Sequence, residues 1–64
     1  MVKINGKEKN AAGIILADYL KDNGYNPDSI VIELNGEILN ESSYASVVLQ
    51  ENDVMEILMF MGGG

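Results

Sequence analysis

Residues 53–64 read DVMEILMFMGGG, and this stretch decides the fold. Val54, Ile57, Leu58 and Phe60 favour a pleated, packed surface, so the run is a strand. Side chains alternate across a strand. Val54, Glu56, Leu58 and Phe60 share one face; Met55, Ile57, Met59 and Met61 share the other. A carboxylate is rarely buried without a partner. Glu56 therefore assigns its face to solvent and sends Met55 and Ile57 into a core. Leu58 and Phe60 are left exposed beside each other, which reads either as a partner site or as Phe60 folding over the sheet edge. Met59 and Met61 fall near the sheet end, where adaptable thioethers suit loose core or contact surface. Gly62, Gly63 and Gly64 lose the most backbone entropy on ordering, so the stiff strand gives way to a soft tail. Three extended residues reach roughly 10 Å, enough to place a terminal carboxylate in another protein's pocket. Taken alone, the same glycines also read as a frayed end.

Upstream, Ile30 to Leu34 is the second strong strand, with Ile30, Ile32 and Leu34 inward and Val31 and Glu33 outward. Asn35-Gly36 follows, the dipeptide of a type I′ hairpin turn, and Glu37-Ile38-Leu39 starts back. Asn40 to Ser46 is polar and turn-rich, with Tyr44 as its anchor. Val47 and Leu49 resume the alternation, and Gln50 to Asp53 make the last turn. At the other end, Val2 and Ile4 alternate with Lys3 and Asn5. Asn5-Gly6 repeats the hairpin signal, and Lys7 to Asn10 return as an edge whose lysines discourage further pairing.

Ala11 to Asn23 holds the one convincing helix. Leu16, Tyr19, Leu20 and Asn23 fall at helical spacing, while Asp18, Lys21 and Asp22 face away. Gly13 is the expected N-cap and Gly24 the left-handed residue that ends the helix. One helix cannot cover both faces of a sheet, so one face packs on it and the other meets water. The expected fold class is α+β, a mixed sheet of four to five strands packed on one helix. Residues 1–61 form the domain and residues 62–64 the tail.

Composition narrows the function. Sixty-four residues make one small domain, of a size that buries about 60% of its unfolded surface. The 47% hydrophobic content permits a compact core. No cysteine or histidine is present. That removes the disulfide, the thiolate, the commonest metal ligand and the usual general base. A net charge of −6 argues against nucleic acid and against anionic membrane surfaces. No apolar run approaches the ~20 residues of a membrane span, and MVKINGKEKN is too polar for a signal peptide. The chain reads as cytoplasmic. Surface carboxylates such as Glu33 and Glu56 form no recognisable acid/base pair, so a stand-alone enzyme is not expected.

The order of elements resembles the β-grasp fold of ubiquitin-like proteins. The opening VKINGK, the central VIELNGEIL and the closing DVMEILMFMGGG are similar to the ThiS family, the sulfur carriers of thiamine biosynthesis. The likeness covers essentially the whole chain. It departs at Ala12-Gly13, where a Thr, Ser or Asp cap is usual, and at Glu51-Asn52-Asp53, where Gly-Asp is frequent. The resemblance implies that an adenylating enzyme of the ubiquitin-activating type joins the Gly64 carboxylate to AMP. A persulfide, from a donor such as a cysteine desulfurase, then gives a thiocarboxylate, which delivers sulfur to thiazole synthase. Gly62 and Gly63 thread the partner's channel, and Leu58, Phe60 and Met61 dock. The carrier needs no cofactor of its own; ATP and Mg²⁺ belong on the adenylating partner. Alternatives are a carrier like the small subunit of molybdopterin synthase and a non-covalent ubiquitin-like binding module.

Overall fold

The computed structural model describes residues 1–60. The elements are β1 (Val2–Ile4), β2 (Lys7–Lys9), α1 (Leu16–Asp22), β3 (Ile30–Leu34), β4 (Glu37–Leu39) and β5 (Val54–Met59). Single 3-10 turns at Pro27–Ser29 and Glu41–Ser43 precede β3 and follow β4. The five strands form one sheet in the order β2-β1-β5-β3-β4. β1 and β5 run parallel; every other neighbouring pair is antiparallel. This is the mixed five-stranded sheet with one helix that the sequence leads one to expect.

Both hairpins turn as their sequences dictate. Asn5 and Gly6 sit at φ 50° and 82°, Asn35 and Gly36 at φ 52° and 87°. Positive φ at both central residues is what a type I′ turn needs, and it matches the right-handed twist of the strands. β2 is an edge strand exposed along its whole length.

The helix corrects the expectation. It starts at Leu16, not Ala11, and its N-cap is Ile15, not Gly13. Ile15 offers no side-chain cap. Gly13 instead bends the chain at φ 90°. Residues 13–16 then run beside 47–49: the Gly13 N–H donates to the Leu49 carbonyl (2.7 Å), the Leu49 N–H to Ile14 (2.9 Å) and the Leu16 N–H to Val47 (2.8 Å). The Ala17 N–H donates to Tyr44 at 3.0 Å. The first helical N–H groups, which have no partner within a helix, are thus satisfied by the backbone of the returning chain. β-branched Ile14 and Ile15 are stiff at χ1 and suit this extended run better than a first turn. At the other end the expectation holds. Gly24 lies at φ 78°, and the Tyr25 N–H reaches back to the Leu20 carbonyl at 2.9 Å. That six-to-one bond is the signature of a Schellman ending.

The core lies between the helix and one face of the sheet. Leu16 and Leu20 from α1 meet Val2, Ile32, Met55 and Leu49, all fully buried. Tyr44 is buried as the anchor of its polar loop.

Candidate functional site

β5 is the central strand, and its parity is the one the carboxylate rule requires. Met55 and Ile57 are buried, whereas Val54, Glu56 and Leu58 point to the open face. Leu58 is 52% exposed and Phe60 61%. Phe60, just past the end of β5, is thus largely open to solvent and also borders the residues at the helix C-terminus. Its backbone is nonetheless held, because its N–H donates to the Ser29 carbonyl at 2.9 Å. Met59, on the core parity, is also exposed, because it borders an open groove at the helix C-terminus.

Register builds the rest of the face. Leu58 lies opposite Val31, Glu56 opposite Glu33, and Glu33 opposite Ile38 on the edge strand. The open face is an apolar surface of Val31, Ile38, Val54, Leu58 and Phe60 crossed by two carboxylates side by side. The sequence singled out Leu58 and Phe60 and turned Val31 and Glu33 outward, but it did not set Val31 beside Leu58, Glu33 beside Glu56 or Ile38 on the same face. The β3–β5 pairing, between segments distant in sequence, joins Val31 and Glu33 to Leu58 and Glu56, and the β3–β4 hairpin sets Ile38 beside Glu33. Met61, Gly62, Gly63 and Gly64 lie outside the described residues.

Where β5 ends, a groove of about 490 Å³ opens between the helix C-terminus and the strand, lined chiefly by Tyr25, Ile30, Met59 and Phe60. Two asparagines fix the strand that leads to it. The Asn5 side-chain oxygen accepts from the Ile57 N–H at 2.7 Å. The Asn35 side chain accepts from the Val54 N–H and donates to Asp53, both at 2.9 Å. Each asparagine makes a hairpin turn with its backbone and ties down β5 with its side chain. Sequence reasoning recognised the first role only, since the second is a tertiary contact.

Titratable groups contribute little here. Burial raises the Tyr19 hydroxyl above its usual range, and the nearby Tyr25 adds to this. Burial also raises Tyr44, with a smaller contribution from Glu41. Among the described residues no group of three acidic, His or Cys side chains is placed to hold a metal ion. No helix among them is long and apolar enough to cross a membrane.

The chain is 37% identical to the sulfur carrier protein ThiS of Bacillus subtilis, an alignment that covers 100% of each. It is 38% identical over 98% of its length to a thiazole synthase of Magnetococcus marinus, and 39% identical over 95% to one of Paramagnetospirillum magneticum. It spans only 20% and 19% of the length of those two enzymes. Its fold superposes on the crystal structure of the thiamine biosynthesis protein ThiS from Geobacter metallireducens with a TM-score of 0.76, at 27% identity, covering 98% of this chain and 97% of that one. The ThiS family model matches residues 2–64, the terminal glycines included. With the β-grasp sheet, the exposed end of β5 and this match in agreement, the chain belongs to the ThiS family.

Proposed function

We propose that this protein is a sulfur carrier of thiamine biosynthesis that works through its Gly64 carboxylate. The observation that carries the reading is the family match, which runs through the glycines to residue 64. A carboxylate is a poor acyl donor, so an adenylating enzyme must first replace pyrophosphate on ATP, giving an acyl adenylate. A persulfide then displaces AMP to form an acyl disulfide. A second thiol cleaves that S–S bond, is oxidised to a disulfide with the donor, and releases the thiocarboxylate. The persulfide traces to cysteine through a desulfurase.

The chain supplies position rather than chemistry. Met55 and Ile57 anchor the strand, Leu58, Phe60 and Met61 dock, and Gly62 to Gly64 enter a channel where a Cβ would collide. ATP and Mg²⁺ are held by the partner. Thiazole synthase is the acceptor; a segment similar to this chain within two proteins of that name supports the pairing.

Intact mass tests the proposal after incubation with the adenylating enzyme, ATP and a sulfur donor. One oxygen should be exchanged for one sulfur, located at Gly64. An unchanged mass, under conditions that convert a known carrier, would overturn it.

A further inference from the structure

β5 has a neighbour on each side, but the two do not cover the same length. β3 runs the whole way: the Asn35 N–H donates to the Val54 carbonyl (2.8 Å) at one end and the Phe60 N–H to the Ser29 carbonyl (2.9 Å) at the other. In an antiparallel ladder alternate residues turn their backbone groups toward the partner. Val54, Glu56, Leu58 and Phe60 therefore face β3, and Met55, Ile57 and Met59 face away from it.

On that other side β1 stops at Ile4. The Lys3 N–H donates to the Asp53 carbonyl at 2.9 Å and the Asn5 N–H to the Met55 carbonyl at 3.0 Å. The Asn5 side chain then takes the Ile57 N–H. There the cover ends. The Ile57 carbonyl and both backbone groups of Met59 point to the side β1 has left, with no partner among the described residues.

Space lies alongside. The apolar groove of Tyr25, Ile30, Met59 and Phe60 opens next to this edge. A second groove of about 270 Å³, lined by Asn5, Lys7, Lys9 and Tyr19, adjoins it across Asn23 and Tyr25. Unpaired strand groups beside a pocket for alternate side chains form a template for strand addition.

We infer that the free edge of β5 at Ile57 and Met59 takes an extended segment of the adenylating partner as a short added strand. One apolar side chain of that segment fills the Tyr25–Phe60 groove, and an acidic one is drawn toward Lys7 and Lys9. The inference rests on the carrier reading and deepens it. A second copy of this chain is a poor occupant, because each copy carries a net charge of −6. The edge is also where a partner gains most. A grip at Met59 leaves five residues to Gly64, roughly 17 Å of reach, and gives that reach a direction.

The test is amide hydrogen exchange on the full-length ¹⁵N-labelled chain, alone and saturated with the adenylating enzyme. The Met59 amide should exchange freely in the isolated chain and slow at least tenfold in the complex. A complex that forms with Met59 still exchanging freely overturns the inference. So does protection of Met59 in the concentrated chain alone, which would assign the edge to self-association. Met59→Pro gives a second arm, because the N–H it removes donates to nothing within the described fold. It should weaken binding by about tenfold, the loss expected for one backbone hydrogen bond. If that variant fails to fold, an amide-to-ester replacement at Met59 takes its place with the same expectation; unchanged binding overturns the inference. Failure of the wild-type chain to be adenylated would instead defeat the carrier reading, so the two failures are distinguishable.

Discussion

Glu33 and Glu56 stand directly opposite each other on adjacent strands, on the face of the sheet that no helix covers. Like charges so placed repel, by roughly 0.2–1 kcal/mol relative to a neutral pair. Replacing Glu56 by Gln should stabilise the fold by an amount in that range at neutral pH and low salt. The gain should shrink as salt screens the pair. Urea titrations at two ionic strengths check this; a gain that ignores salt would mean that repulsion is not its source.

Asn5→Gly separates the two jobs of that residue. Glycine accepts φ 50° without strain, so the turn survives, while the acceptor for the half-buried Ile57 N–H is lost. The expected cost is about 1–3 kcal/mol, with faster exchange of the Ile57 amide. Asn5→Asp keeps an acceptor and should keep the Ile57 amide slow. Equal exchange at Ile57 in Asn5→Gly and wild type would show that the side chain does not secure the strand.

Met55 and Leu58 are three residues apart on one strand, and their truncation should have opposite consequences. Met55→Ala empties a fully buried position and should cost about 2–5 kcal/mol in a denaturant melt. Leu58→Ala should change stability by no more than about 0.5 kcal/mol. It should nevertheless reduce binding to the adenylating enzyme, as should Phe60→Glu. Loss of stability in step with loss of binding would place Leu58 or Phe60 in the core.

Acid should favour one contact between the two 3-10 turns. The Glu41 carboxyl is raised above its ordinary 4.5, first by a side-chain hydrogen bond with Asp28, then by slight desolvation and by the Asp28 charge. A carboxyl raised on folding contributes stability that is full below its unfolded pKa and is lost as pH rises through the folded one. Glu41→Gln, which stays neutral, should therefore match wild type near pH 4 and exceed it at pH 7. Thermal melts across that interval check the sign. A variant less stable than wild type at pH 7 would contradict it.

The sequence carried most of the sheet, because its signals are local. Asn5-Gly6 and Asn35-Gly36 announced turns through their tolerance of positive φ, and Glu56 alone was enough to assign the faces of β5. The start of the helix was not legible. Ala11 to Ile15 carries no proline or strong break apart from Gly13, and the turn there and the extended run of Ile14 and Ile15 are held by residues 44–49, some thirty positions away. Gly13 followed by two β-branched residues was the available signal. Asn52 shows the converse. The turn before β5 places it at φ 72°, so the asparagine serves where glycine is frequent in the family, and the departure costs the turn little. At the site, Leu58 and Phe60 could be found by parity, whereas Ile38, the paired glutamates and the free edge at Met59 depend on strand order.

The position of β5 in that order has a mechanical consequence. An enzyme that draws the terminus into a channel pulls along the axis of the central strand, not on a strand at the margin. A margin strand can be peeled off one hydrogen bond at a time. A central strand loaded lengthwise strains the bonds to β1 and β3 together, in shear, and the load spreads across the sheet. The proposed function thus loads the sheet in the direction in which it resists best.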